Sequence, residues 1–223
     1  MEVIAGTGKP VVLVNMTGSA MDLRFADAHF SAVVQGWYPG ARGGKAIAEL
    51  LFGKYSPSGK LPVTFYNSAD DLPAFTDYAM ENRTYRYFKG DVLYPFGFGL
   101  TYGRTAVTAA SAEKAEGGWR VTASLEHSGA AGGDVVEVYI RDNESKFAVR
   151  NHSLCAFKPV SFSGDEAKTV ELFVPDRALE IVDDSGERRV DSRSFTLYVG
   201  VSQPDARSCA LTGTRPAEIA LQL

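Results

Sequence analysis

Ser19, His29 and either Asp22 or Asp27 supply the residue types of a hydrolytic triad. In a triad an imidazole takes the serine proton while a carboxylate orients the imidazole. The spacing argues against it. Thr17-Gly18-Ser19-Ala20 lacks the G-x-S-x-G pattern that holds such a serine on a strained strand-to-helix turn. A different chemistry, cleavage between two sugars, needs a carboxyl group on each side of the bond. Asp70-Asp71 and Asp183-Asp184 are adjacent pairs. Neighbouring side chains on an extended chain point to opposite faces, so neither pair can grip one bond, and both read as solvated turn carboxylates.

Trp37-Tyr38-Pro39-Gly40-Ala41-Arg42-Gly43-Gly44 is rich enough in glycine to offer free backbone N–H groups to a phosphate. It meets neither the Walker nor the G-x-G-x-x-G pattern, so it reads as a tight strand-to-helix turn. Arg83, Arg86 and Lys89 lie among Tyr85, Tyr87 and Phe88. The mixture suits stacking on a sugar or a base; the plainer reading has arginine stems covering rings inside the protein. His29, His127 and His152 show no metal-ligand spacing. Cys155 and Cys209 are too few for a disulfide framework or zinc cluster. Both fall in predicted strands of one domain and read as free thiols. Asn15, Asn82, Asn143 and Asn151 open N-glycosylation sequons, which matter only where the chain meets that machinery.

The elements that must position these residues change character along the chain. Val11-Val12-Leu13-Val14 and Ala32-Val33-Val34-Gln35 are apolar runs suited to strands buried on both faces. Ala46, Ile47, Leu50 and Leu51 follow at helical spacing, with Gly53 where a helix C-terminal glycine belongs. Residues 1–66 therefore read as part of a parallel α/β layer. Residues 67–103 are punctuated by proline and glycine yet hold many aromatic rings, which predicts an ordered segment packed over other surfaces. From 104 to 223 the period is two: Val121, Ala123 and Leu125, then Val136, Val138 and Ile140, then Val170, Leu172 and Val174, then Phe195, Leu197 and Val199. Each run predicts a strand with one buried face, and together they predict an antiparallel β-sandwich.

The chain has 223 residues, with 23 basic and 27 acidic side chains and a formal charge of −4. Without a basic patch, nucleic acid is not an expected partner. No apolar run has the length of a membrane span, so a membrane is not expected either. Met1 to Gly6 lacks the basic and apolar regions of a signal peptide, which favours the cytoplasm.

Several strings together carry a resemblance. Ala32 to Gly40 (AVVQGWYPG), Gly43-Gly44, Ala46 to Gly53 (AIAELLFG), Tyr55 to Phe65 (YSPSGKLPVTF), Asn82 to Phe88 (NRTYRYF) and Leu93 to Tyr102 (LYPFGFGLTY) stand in the order found in glycoside hydrolase family 3. Gly133 to Tyr139 (GDVVEVY) and Phe195 to Val201 (FTLYVGV) are similar to that family's fibronectin type III-like module. The resemblance implies a retaining exo-glycosidase, of β-glucosidase or β-xylosidase type, acting on β-linked sugars with no metal or organic cofactor required. It implies a barrel bearing the nucleophilic aspartate. It places the acid/base glutamate of the glucosidase branch ahead of the strand matched by Lys9 to Val14. Neither motif is found here, so no catalytic residue is assigned and substrate-binding residues stay unknown. At 223 residues the chain is too short for an eightfold barrel of about 250 residues.

The resemblance thus implies scaffold and active-site rim, the rim lined by residues 66 to 102. The expected partner is the missing N-terminal half, or a second copy docked through exposed apolar surface. Two other readings remain: a non-catalytic carbohydrate-binding or interaction protein on the same scaffold, and a serine esterase, which needs Ser19 and His29 within hydrogen-bond reach.

Overall fold

The computed structural model describes all 223 residues. The first part is built of α1 (Glu2–Ala5), β1 (Val12–Asn15), α2 (Arg24–His29), β2 (Ala32–Gln35), α3 (Gly43–Leu51), β3 (Phe65–Tyr66), a short 3-10 turn (Ala69–Asp71), α4 (Thr84–Tyr87) and β4 (Val92–Tyr94). β1 and β2 pair in parallel, Val12 opposite Ala32, as the two apolar runs predict. Gly53 takes φ 73°, the left-handed geometry that ends α3.

The expectation that β1 and β2 are buried on both faces is not met. Their inward residues Leu13 and Val33 join a small core of Leu23, Phe65 and Leu93. Val12 and Ala32, which alternate to the other face, are exposed. Val14 and Val34, on that same face, are only partly covered. Most of the exposed large hydrophobic side chains belong to this part; only Phe157, Phe173, Val182, Val190 and Leu223 lie outside the first 102 residues.

The second part holds β5 (Gly103–Ala115), β6 (Gly118–Gly129), β7 (Gly132–Asp142), β8 (Ser153–Phe162), β9 (Glu166–Pro175), the short pair β10 (Ile181–Val182) and β11 (Arg188–Arg189), β12 (Ser194–Gly200), α5 (Ala206–Thr212) and β13 (Ala217–Gln222). A three-stranded sheet, β5-β6-β9, faces a four-stranded sheet, β13-β12-β7-β8, and every ladder is antiparallel. Alternate residues from both sheets, including Val121, Leu125, Val138, Leu172 and Leu197, form one core of 16 buried side chains. This is the predicted sandwich.

β7 departs from the one-faced pattern: Glu137 and Tyr139, read as its solvent side, are buried. The aromatic segment preceding β5 lies across that outer face. Tyr85 stacks on Phe96 with centroids 4.2 Å apart and meets Tyr139 edge-on at 6.1 Å. Cys209 also departs from expectation, lying in α5 rather than a strand. Asp205 caps that helix through the Ser208 N–H and Gly213 ends it at φ 67°.

Candidate functional site

Three places in the fold concentrate polar chemistry. The first is a sealed seam between the two parts. Lys60, on the stretch after α3, extends under the sandwich, where its Nζ lies 2.8 Å from Asp134 Oδ1. It also donates to the carbonyls of Gly99 at 3.0 Å and Val201 at 2.9 Å. Beside this pair the Tyr139 hydroxyl donates to Glu137 Oε2 at 2.9 Å. Burial lifts the Glu137 carboxyl to about 7, although the Lys60 charge and the Tyr139 bond pull it down. Such a carboxyl has the proton affinity of a general acid. However, Glu137 is 3% exposed, so substrate cannot reach it. Gly97, at φ 77°, passes directly over it. The seam is structural.

The second place is a groove of about 680 Å³ where β4 and the Tyr85 to Gly90 stretch meet α5 and the outer face of the four-stranded sheet. His152 lies on its floor. The Gln203 side chain donates to the Phe96 carbonyl at 2.7 Å, which turns its amide oxygen toward His152 Nε2 at 2.6 Å. Burial lowers the His152 pKa below the usual value, so the ring stays neutral near pH 7 and its Nε2–H donates. Thr64 also lines the groove, with its Oγ1 buried and unpartnered.

The third place is the loop from residue 67 to 83. Phe75 is 93% and Tyr78 89% exposed. The Arg83 guanidinium gathers the carbonyls of Ala74, Asp77 and Ala79 at 2.6 to 3.2 Å, which holds the two rings outward on a fixed frame. Asn82 and Thr84, on either side of Arg83, take φ 55° and 57°. A β-branched residue there is strained, and such strain collects where a loop must hold one shape.

The residues singled out by type separate as follows. Neither the Ser19 hydroxyl nor the His29 ring makes a hydrogen bond; His29 packs at a tilt against Phe25, Asp22 is bound to Arg24, and Asp27 accepts from Tyr94 at 2.7 Å. The triad is not assembled, and with it the esterase reading ends. Asp71 closes a capping box with Ser68, and Asp183 gathers the Ser185 and Glu187 N–H groups of a turn. Both aspartate pairs therefore sit in turns, not on extended chain. Of the basic residues near Tyr85, only Arg86 lies over a ring, 5.7 Å from that of Tyr85; Arg83 binds carbonyls and Lys89 pairs with Glu81. Cys155 and Cys209 are free thiols, the former pushed up to about 12 by burial.

All four sequon asparagines use their amide nitrogens inside the fold: Asn15 on Gln35, Asn82 on the Asp71 carbonyl, Asn143 on Ser194 and Thr196, Asn151 on the carbonyls of Tyr85 and Phe88. No group of three or more His, Cys, Asp or Glu side chains is placed to hold a metal ion. Sequence reasoning missed Lys60, Thr64 and Gln203. None has a local signal, because each acts on residues distant in the chain.

Residues 1–102 match the glycosyl hydrolase family 3 C-terminal domain, and residues 134–203 match a fibronectin type III-like domain. The chain carries the C-terminal domains of glycoside hydrolase family 3. Among curated relatives it is 35% identical over 218 residues to a xylan 1,4-beta-xylosidase of Xylanibacter ruminicola, covering 96% of this chain and 25% of that protein. It is 31% identical to a periplasmic beta-glucosidase of Salmonella typhimurium, covering 89% of this chain and 28% of that protein. The family 3 chain thus spans about a quarter of the length of these relatives. Among solved structures, a β-glucosidase from Erythrobacter marinus superposes with a TM-score of 0.82 at 29% identity over 100% of this chain and 29% of that one. A β-glucosidase from Streptomyces venezuelae, in complex with D-glucose, gives 0.82 at 28% identity over 98% of this chain and 30% of that one. No helix is long and apolar enough to cross a membrane.

Proposed function

We propose that this chain is the C-terminal part of a retaining β-glycosidase that hydrolyses β-linked glucosides or xylosides, and that its own role is scaffold and active-site rim. The observation that carries this reading is the pairing of two facts. Almost the whole chain aligns with one end of long β-xylosidases and β-glucosidases. Its first 102 residues, in turn, lack a core of their own size and leave apolar surface open around Val12, Met16, Leu51 and Phe52. That surface suits a further domain carrying the nucleophile and the proton donor; alone, it would drive self-association. The loop bearing Phe75 and Tyr78 would then lie at the rim, where aromatic faces suit sugar rings.

The test is an assay of the purified chain on an aryl β-glucoside and an aryl β-xyloside, alone and fused to the polypeptide encoded upstream. The expected result is no turnover alone and turnover in the fusion. Cleavage at enzymatic speed by the chain alone would overturn the reading.

A further inference from the structure

We propose that the groove between the β4 region and the outer face of the four-stranded sheet is a binding site for a neutral saccharide, formed entirely by this chain. Its volume, about 680 Å³, lies within the range of small-ligand sites. Its floor and one wall are set before any ligand arrives. The His152–Gln203–Phe96 chain fixes the floor, and Arg207 is tied to the Leu93 carbonyl at 3.1 Å through two guanidinium nitrogens.

Thr64 supplies an independent observation. It is 7% exposed, it lines the groove, and its hydroxyl has no partner. Buried hydroxyls are rarely left so, and its Oγ1, closed off from solvent beneath the groove surface, would gain a partner from a ligand that displaced the wall over it.

The lining also selects the ligand. Arg141, Arg150 and Arg207 line the groove together with Asp91, Asp205 and Glu218, so the formal charges cancel. A phosphate or carboxylate would meet as many carboxylates as guanidinium groups and gain no net attraction, and an acyl chain would leave Arg141 and Glu218 unpaired against it. Arg141, Arg150, Asp91 and Glu218 form neither ion pairs nor side-chain hydrogen bonds within the chain, which leaves donors and acceptors of both kinds free. Sugar hydroxyls donate and accept alike. Tyr198 stands opposite Glu218 and diagonal to Arg141, on one face of the sheet, where its half-exposed ring offers an apolar surface to the C–H side of a pyranose.

The experiment titrates the full chain with cellobiose and with xylobiose by saturation-transfer NMR, with inorganic phosphate as competitor. Wild type, Arg141→Ala and Thr64→Val are compared, each with its thermal midpoint. The expected result is saturable disaccharide binding that phosphate does not displace, weakened about fivefold or more by either substitution, the loss of roughly one hydrogen bond. Thr64→Val removes an unsatisfied buried hydroxyl, so its midpoint should hold or rise while binding falls. Absent saturation, displacement by phosphate, or equal binding by both variants overturns the proposal. So does a lowered Thr64→Val midpoint with binding intact, which would make that hydroxyl part of the fold alone.

Discussion

Lys60 and Asp134, far apart in sequence, form an ion pair at 2.8 Å with side chains only 9% and 6% exposed. The pair ties the family 3 domain to the sandwich at a point where neither charge can turn to water. Removing one partner of such a pair typically costs about 3–5 kcal/mol, because the other is left buried and uncompensated. Lys60→Met should lower the denaturant midpoint accordingly. The double variant Lys60→Met, Asp134→Leu should recover much of the loss, which would expose the coupling. Equal loss in the single and double variants would show that Lys60 acts only through its carbonyl contacts.

Glu137 gives the chain a pH dependence. Its carboxyl is lifted from 4.5 to about 7, chiefly by burial. The folded chain therefore holds this proton more tightly than the unfolded chain. The resulting stability is complete below pH 4.5 and is lost as pH rises through about 7. The full effect is about 3 kcal/mol. Glu137→Gln should flatten this part of the stability profile and leave the variant more stable than wild type above pH 8 or so. A wild-type slope that persists in the variant would assign it to another group.

The contrast between β6 and β7 shows what was legible in the sequence. In β6 one face meets the core and the other meets solvent, so Val121, Ala123 and Leu125 are read correctly from their period of two. In β7 the same period holds, yet Glu137 and Tyr139 are buried because a segment from Tyr85 to Gly97, far upstream in the chain, lies over them. Alternation records polarity, and cannot show that a polar side chain is roofed by another part of the chain. Cys209 differs for another reason: α5, between Asp205 and Gly213, is only seven residues long, too short for a helical period to stand out between two strands. The groove left no trace in the sequence, since Thr64, His152 and Gln203 meet only through tertiary packing.

Gly97 tests how tightly the aromatic segment roofs β7. It takes φ 77°, and a Cβ there would fall 2.8 Å from Glu137 Oε2 and against the Tyr139 hydroxyl. Gly40 takes φ 70° with open space around it. Gly40→Ala should cost about 1–2 kcal/mol, the backbone penalty alone. Gly97→Ala adds overpacking and should cost about 1–3 kcal/mol beyond that. Matching losses, measured by urea unfolding, would mean that the roof yields freely.

Phe75 and Tyr78 test the rim. Both rings are almost fully exposed, and neither supports any core. The loop that carries them is nonetheless fixed, by three Arg83 bonds to its carbonyls. Rings held rigidly in solvent lose little entropy on meeting a sugar, which suits them to substrate contact. In the whole protein, Phe75→Ala or Tyr78→Ala should raise KM about fivefold to tenfold, the scale of one aromatic contact, with kcat and the thermal midpoint little changed. Arg83→Ala should give a similar rise by freeing the loop, with both rings still present. If KM stays fixed in all three variants while the fold is intact, the loop is not at the rim and its aromatic surface serves another contact.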